Sequence, residues 1–150
     1  MAAIDFYTLP EGARTPRLKA VCQLVEKAFL GGERVLVWLQ DEAQQSSFDD
    51  LLWTFGDRAF VPHEPLAADP AGSEAPVQLF AGADLPAAAR AGAFSTLVTL
   101  REQACQDALA FGRVVEVVDA DPAVRNAGRA RFRFYRERGA TPNHHELNEQ

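Results

Sequence analysis

Six arginines fall within fourteen residues near the C-terminal end of the chain: Arg125, Arg129, Arg131, Arg133, Arg136 and Arg138. A guanidinium group is a planar fork of donors suited to carboxylate or phosphate. Only Glu137 opposes them, so this stretch carries +5; the whole chain is at −6, so the remainder sums to −11. At about 100° per helical residue, Arg125, Arg129, Arg133 and Arg136 share an arc roughly 80° wide, with Phe132 at its edge. Arg131 points the other way, toward the side that must be buried, and calls for an acidic partner; Glu116 is the candidate.

Three chemistries suit such a stripe. A solvated helix face would place cations near the helix C-terminus, where the macrodipole favours them. That accounts for Arg136 and Arg138, but not for Arg125, Arg129 or the ring of Phe132. Arginines on phosphates would mark a nucleic-acid site, against which stand the net charge of −6 and the lack of other basic segments. A third possibility is a docking site for an acidic peptide, with arginines pairing its carboxylates and Phe132 packing its apolar residue. The residues favour this third reading.

Elsewhere the sequence is poor in catalytic parts. There is no GxGxxG after a strand, no GxxxxGK[ST] and no GxSxG elbow. Gly31-Gly32 is followed by Glu33 and reads as a helix stop. His63 has no serine or cysteine nucleophile arranged around it by spacing. His144 and His145, beside Glu146, read as a solvated tail rather than a metal site. Asp41-Glu42 and Asp49-Asp50 read as helix cap and helix surface. Cys22 and Cys105 have no partners at metal spacing, and Cys22 falls on an apolar helical stripe, which predicts a reduced, buried thiol. No catalytic residue, cofactor or metal is expected.

The elements that must carry these residues alternate. Residues 4–9 (IDFYTL) open as a strand. Thr15-Pro16 supplies an N-cap and first helical residue, and Leu18, Val21, Cys22, Val25 and Phe29 follow at helical spacing. The apolar run 35–39 (VLVWL) suits a parallel strand covered on both faces. Asp41 caps a helix through about Thr54, and 64–76 is an exposed Pro-Ala-Gly loop. Further strands are expected at 77–80, 95–100 and 114–118, with helices at 85–91, at 101–111 and from Asp121-Pro122 to Gly139. This pattern predicts a single-domain α/β fold, a mostly parallel sheet with helices on both faces. Residues 1–139 form the domain and 140–150 a loose polar tail. No run approaches the ~18 apolar residues of a membrane span. MAAIDFYTLP lacks the basic-then-apolar pattern of a signal peptide, which predicts a cytoplasmic protein.

The segments DEAQ (41–44), LLWTF and AFVPH (within 51–63), PAGSEAP (70–76) and VVEVVDADPAVRNAGRARFRFYRERG (114–139) resemble, in order and spacing, the chi subunit of bacterial DNA polymerase III holoenzyme. The resemblance implies a Rossmann-like fold and no catalysis of its own, in an accessory subunit of a DNA-directed DNA polymerase complex. It implies two partners. The psi subunit tethers chi to the clamp loader, and the acidic, phenylalanine-ending C-terminal tail of single-stranded DNA-binding protein docks on the last helix. DNA is met only indirectly, and no membrane is involved. The family's basic-x-x-aromatic-basic pattern falls on Arg129, Phe132 and Arg133, flanked on the wheel by Arg125 and Arg136. Relatives often carry tyrosine where Phe132 stands. The psi-facing segment falls on Trp53, Phe60, Val61 and Pro62, with Phe55 nearby; Trp53 is the stronger candidate, because Leu51, Leu52 and Trp53 cannot share one helix face. The alternative from another class is a nucleotide- or nucleic-acid-binding α/β protein.

Overall fold

A computed structural model describes residues 2–90 and 92–147. The elements run β1 (Ala3–Thr8), α1 (Arg17–Leu30), β2 (Val35–Trp38), α2 (Glu42–Thr54), β3 (His63–Pro65), β4 (Val77–Phe80), α3 (Ala87–Arg90), β5 (Thr96–Thr99), β6 (Arg113–Val118), α4 (Pro122–Glu137) and β7 (Asn143–Glu146). The strands form one sheet in the order β3-β4-β2-β5-β6-β1-β7, with every pairing parallel. The expected α/β class holds.

Side chains of the inner strands alternate between two apolar layers, as a pleat requires. Val35, Val37, Val98, Val115 and Val117 face the layer covered by α1 and α2. Leu36, Trp38, Leu97, Val114 and Val118 face the layer covered by α3 and α4. All four residues of β2 are buried, so its continuous apolar run is that of a strand covered on both faces. Cys22 sits fully buried on α1, and burial pushes its thiol up to about 12. It is a packing residue, not a nucleophile.

Several local expectations shift for identifiable reasons. Pro16, not Thr15, occupies the N-cap of α1, with extended backbone and no side-chain cap bond. The expected helix at 101–111 is a 3-10 turn, Gln106–Ala110, because Arg101 and Glu102 are tied back to Gln40 through its carbonyl and its side-chain oxygen. The stretch 64–76 is no simple exposed loop. Its first two residues belong to β3, and Arg34 reaches under it to the carbonyls of Pro70 (2.6 Å) and Ser73 (3.3 Å). Both predicted side-chain caps, Asp41 on α2 and Asp121 on α4, are present. Residue 91, the last of the expected helix 85–91, lies outside the described residues.

The polar tail is the largest departure. Residues 143–146 add a seventh strand beside β1. Its four side chains are exposed, so the apolar burial that anchors it lies on either side, at Ala140 and Leu147. Polar contacts hold the strand between them. Asp5 Oδ1 lies 2.8 Å from His145 Nε2 and accepts from Asn143 Nδ2 (3.5 Å), while the imidazole of His145 stacks on Tyr7 at 4.8 Å. Leu147 N–H donates to the Thr8 carbonyl at 2.8 Å. Residues 148–150 of the tail lie outside the described residues.

Helix α4 is fixed on the sheet by two features. A Cβ on Gly128 would meet Val118 Cγ2 at 2.9 Å, so glycine allows the helix to lie close on β6. Beneath it, Glu116 is fully buried and accepts from Arg131 Nε (2.5 Å) and from Tyr135 Oη (2.7 Å). Arg131 also donates to the Glu102 carbonyl (2.9 Å) and is 3% exposed. Burial raises both the Glu116 carboxyl and the Tyr135 hydroxyl above their ordinary values.

Two predictions follow from these contacts. Tyr135→Phe leaves one buried carboxylate oxygen without its donor and should cost about 1–3 kcal/mol; Glu116→Ala strands a buried guanidinium and should cost about 3–5 kcal/mol. Urea unfolding of the two variants checks both values, and equal stability to the parent would contradict the assignment. The second concerns Asp5. Burial pushes its carboxyl up, but hydrogen bonds from His145 and Arg113 outweigh that and hold it below the ordinary 3.8. Its hold on β7 is therefore complete above pH 3.8 and is lost as the pH falls through the depressed value. Amide exchange of residues 143–147 should accelerate, relative to the intrinsic rate, across that acid window and at all pH values in Asp5→Asn.

Candidate functional site

The carboxyl ends of β1 and β6, the outer face of α4 and the edge strand β7 enclose a cleft of about 520 Å³. Phe6, Thr8 and Val118 line the sheet side, Arg125, Gly128, Arg129, Phe132 and Arg133 the helix side, and His144 the strand side. Four of the five residues placed on the arginine stripe by sequence therefore meet in one concavity. The fifth, Arg136, lies outside the lining and holds its guanidinium 6.0 Å from the Phe132 ring centroid.

Phe132 is half-buried rather than freely exposed. Its ring packs on Phe6 at 5.3 Å between centroids, which makes it a fixed apolar wall. The guanidinium groups around it are open to ligands. Arg125 donates to the Asp119 carbonyl (3.2 Å) and Arg129 to Asn126 Oδ1 (3.2 Å), both neutral acceptors. Among the described residues none of Arg125, Arg129, Arg133 and Arg136 forms an ion pair. Arg131 and Arg138 are accounted for internally: Arg131 by Glu116, Arg138 by stacking 3.4 Å over Phe134. The wheel reading of Arg131 and its partner is correct.

Such a cleft offers several forked donors beside an aromatic wall. It suits a ligand bearing carboxylates and one apolar group. Sequence reasoning missed Phe6, Thr8, Val118 and His144. The alternation of IDFYT places Phe6 and Thr8 on one strand face, but nothing in NHHE announces a strand.

A second surface lies at the opposite edge of the sheet. Trp53 on α2 is 49% exposed and Phe60, just before β3, 64% exposed, with ring centroids 5.9 Å apart. Beneath them His63 has a side chain only 1% exposed. Its Nε2 lies 2.6 Å from Asp49 Oδ1 and its Nδ1 2.7 Å from the Val61 carbonyl, with the Trp53 ring at 4.4 Å. Both ring nitrogens are engaged, so His63 props the indole and has no free nitrogen to act as a base. Asp49, read as plain helix surface, is its partner. Grouped with Trp53 by sequence, Phe55 and Val61 are core residues with little or no surface to offer. Phe55 closes the end of α2 and Val61 turns inward one residue after Phe60. Pro62 is partly exposed.

Among the described residues no group of three His, Cys, Asp or Glu side chains is placed to hold a metal. No described helix is long and apolar enough to cross a membrane.

Comparison with known proteins agrees with this architecture. The family described as DNA polymerase III chi subunit, HolC, matches residues 1–143. The chain is 41% identical over 147 residues to the DNA polymerase III subunit chi of Pseudomonas aeruginosa, covering 98% of each chain. It is 30% identical over 143 residues to the Escherichia coli protein of the same name, covering 93% of this chain and 94% of that one. A Haemophilus influenzae protein, also named DNA polymerase III subunit chi, is 24% identical over 135 residues and 90% of each chain. The chain belongs to the family of DNA polymerase III chi subunits, accessory proteins of DNA replication.

Proposed function

We propose that the protein couples the replicative polymerase's clamp loader to single-stranded DNA coated by its binding protein. The arginine cleft receives the acidic, phenylalanine-ending tail of single-stranded DNA-binding protein. The Trp53 and Phe60 surface receives a psi subunit. One observation carries the first half: three guanidinium groups with no carboxylate partner among the described residues surround a fixed aromatic wall in a concavity of about 520 Å³. Arg129 and Arg133 grip the carboxylates, Phe132 and Phe6 receive the terminal ring, and Arg125 and Arg136 add charge at the margins.

The second half rests on two adjacent exposed aromatics, a pairing typical of the anchors of protein interfaces. The placement of the surfaces also supports coupling. The cleft lies toward β1 and β7 and the aromatic pair beside β3, at opposite ends of the sheet. At about 4.8 Å per strand this separates them by roughly 25 Å. That separation supports one subunit holding both partners at once.

The test is direct. A labelled acidic peptide ending in Pro-Phe should bind with micromolar-range affinity, about −8 kcal/mol. Arg133→Glu should weaken it by about 1.5–3 kcal/mol, and added salt should weaken it further. Unchanged binding by the Arg129→Glu/Arg133→Glu double variant would remove the cleft from the proposal, and tight binding of naked single-stranded DNA by the isolated protein would favour a nucleic-acid site instead. For the second surface, Trp53→Ala should reduce co-purification with psi while the melting temperature of the isolated subunit changes little. A large fall in melting temperature without psi would identify Trp53 as a core residue.

A further inference from the structure

The C-terminal strand has two faces with different work. Asn143 and His145 are spent on Asp5 and Tyr7, which hold the strand to β1. His144 points the other way. Its register partner is Phe6, the residue under Phe132, and it lines the arginine cleft. Anchored by Ala140 and Leu147 on either side, the strand closes one side of the cleft, and its His144 lines the same cavity as the arginines.

The hydrogen bonds around that imidazole define what it can do. His144 Nε2 lies 2.9 Å from Thr8 Oγ1, and the same hydroxyl is 3.4 Å from the His145 carbonyl. A carbonyl only accepts, so the hydroxyl donates to it and accepts from His144 Nε2–H. Among the described residues the remaining ring nitrogen, Nδ1, has no hydrogen-bond partner, and it is the one left for a ligand. Unprotonated, it presents a lone pair to an incoming carboxylate, which is repulsive. Protonated, it donates a charge-assisted bond. Facing it across the cleft are Arg125, Arg129 and Arg133 of α4. Strand β6 contributes Val118 and β1 contributes Phe6 and Thr8, none of them charged. On its own strand Glu146 shares its face, two residues on.

We infer that His144 is a ligand-contacting residue of the arginine cleft and that binding of a carboxylate-bearing chain end there takes up a proton on its imidazole. The inference rests on the proposed function of the cleft and adds a regulation to it: acidification within the range in which histidines titrate tightens the grip. Arginines keep their charge throughout that range, and the ligand's carboxylates stay ionised, so neither supplies the effect.

The experiment is a fluorescence-anisotropy titration of the full chain with the labelled acidic peptide ending in Pro-Phe, at pH 8 and pH 6 and constant ionic strength. The parent protein should bind about three- to fivefold tighter at pH 6, the value of one partly exposed ion pair. His144→Gln should lose the pH response, binding with the same affinity at pH 6 as at pH 8. His144 is exposed, so the substitution leaves the core intact, and a matched thermal melt verifies this. A parent with no pH response overturns the inference, as does a His144→Gln protein that keeps it. If either occurs while Arg129→Glu/Arg133→Glu still abolishes binding, only the role of His144 fails. If the peptide binds no form of the protein at either pH, the proposed function of the cleft fails with it.

Discussion

The orientation of α4 depends on one buried ion pair. An α-helix carrying six arginines can be rolled in several ways against a sheet, and most would bury a charge without a partner. Glu116, fully enclosed on β6, selects one of them. It accepts from Arg131 and Tyr135 together, and those two residues are four apart, on one side of the helix. Gly128, one turn before Arg131, lets that same side lie against Val118. Once these contacts are made, Arg125, Arg129, Arg133 and Arg136 have nowhere to point but outward. A buried ion pair contributes little net stability over an apolar substitute, because desolvation offsets its attraction. Its value here is in registry: it fixes which guanidinium groups are spent inside and which remain for ligands.

The same division appears across the sheet. At the β3 edge His63 is consumed by Asp49 and the Val61 carbonyl, and that leaves Trp53 propped open above it. At the β7 edge Asp5 consumes His145, and that leaves His144 turned toward the cleft. In each case a carboxylate engages one histidine, and a neighbouring side chain is left facing outward. Both edge strands are short and polar or proline-bearing, which also protects the sheet from pairing with other chains.

How much of this the sequence discloses depends on whether the cause is local. Strand β2 and helices α1 and α4 are legible because apolar periodicity along a single segment encodes burial. The inward turn of Arg131 is legible for the same reason, since a helical wheel uses only residues of that helix. Strands β3 and β7 are not legible: three and four mostly polar residues carry no alternation, and what orders them is a neighbour strand distant in sequence. The 3-10 turn at Gln106–Ala110 replaces a helix because Gln40 holds the preceding residues, a tertiary contact no propensity contains. Among the aromatic and apolar residues around Trp53, type alone cannot separate Phe55 and Val61, which are buried, from Trp53 and Phe60, which are not. Phe132 is half-buried because Phe6 arrives from the other end of the chain.

The arginine stripe also has an energetic consequence for the free protein. Arg125, Arg129 and Arg133 recur at intervals of four, and like charges at that spacing destabilise a helix by about 0.2–0.5 kcal/mol per pair. The macrodipole offsets some of this only in the last turn, where Arg136 stands, and not for Arg125 near the helix N-terminus, where a cation is unfavourable. The helix persists because Val118, Glu116 and the apolar layer hold its inner face, so tertiary packing maintains a local electrostatic strain. A carboxylate bound there, as proposed, would relieve that strain as well as make new hydrogen bonds. Part of the attraction would then be stored in the unliganded fold, in the separation between an inner face neutralised by Glu116 and an outer one that no carboxylate among the described residues neutralises.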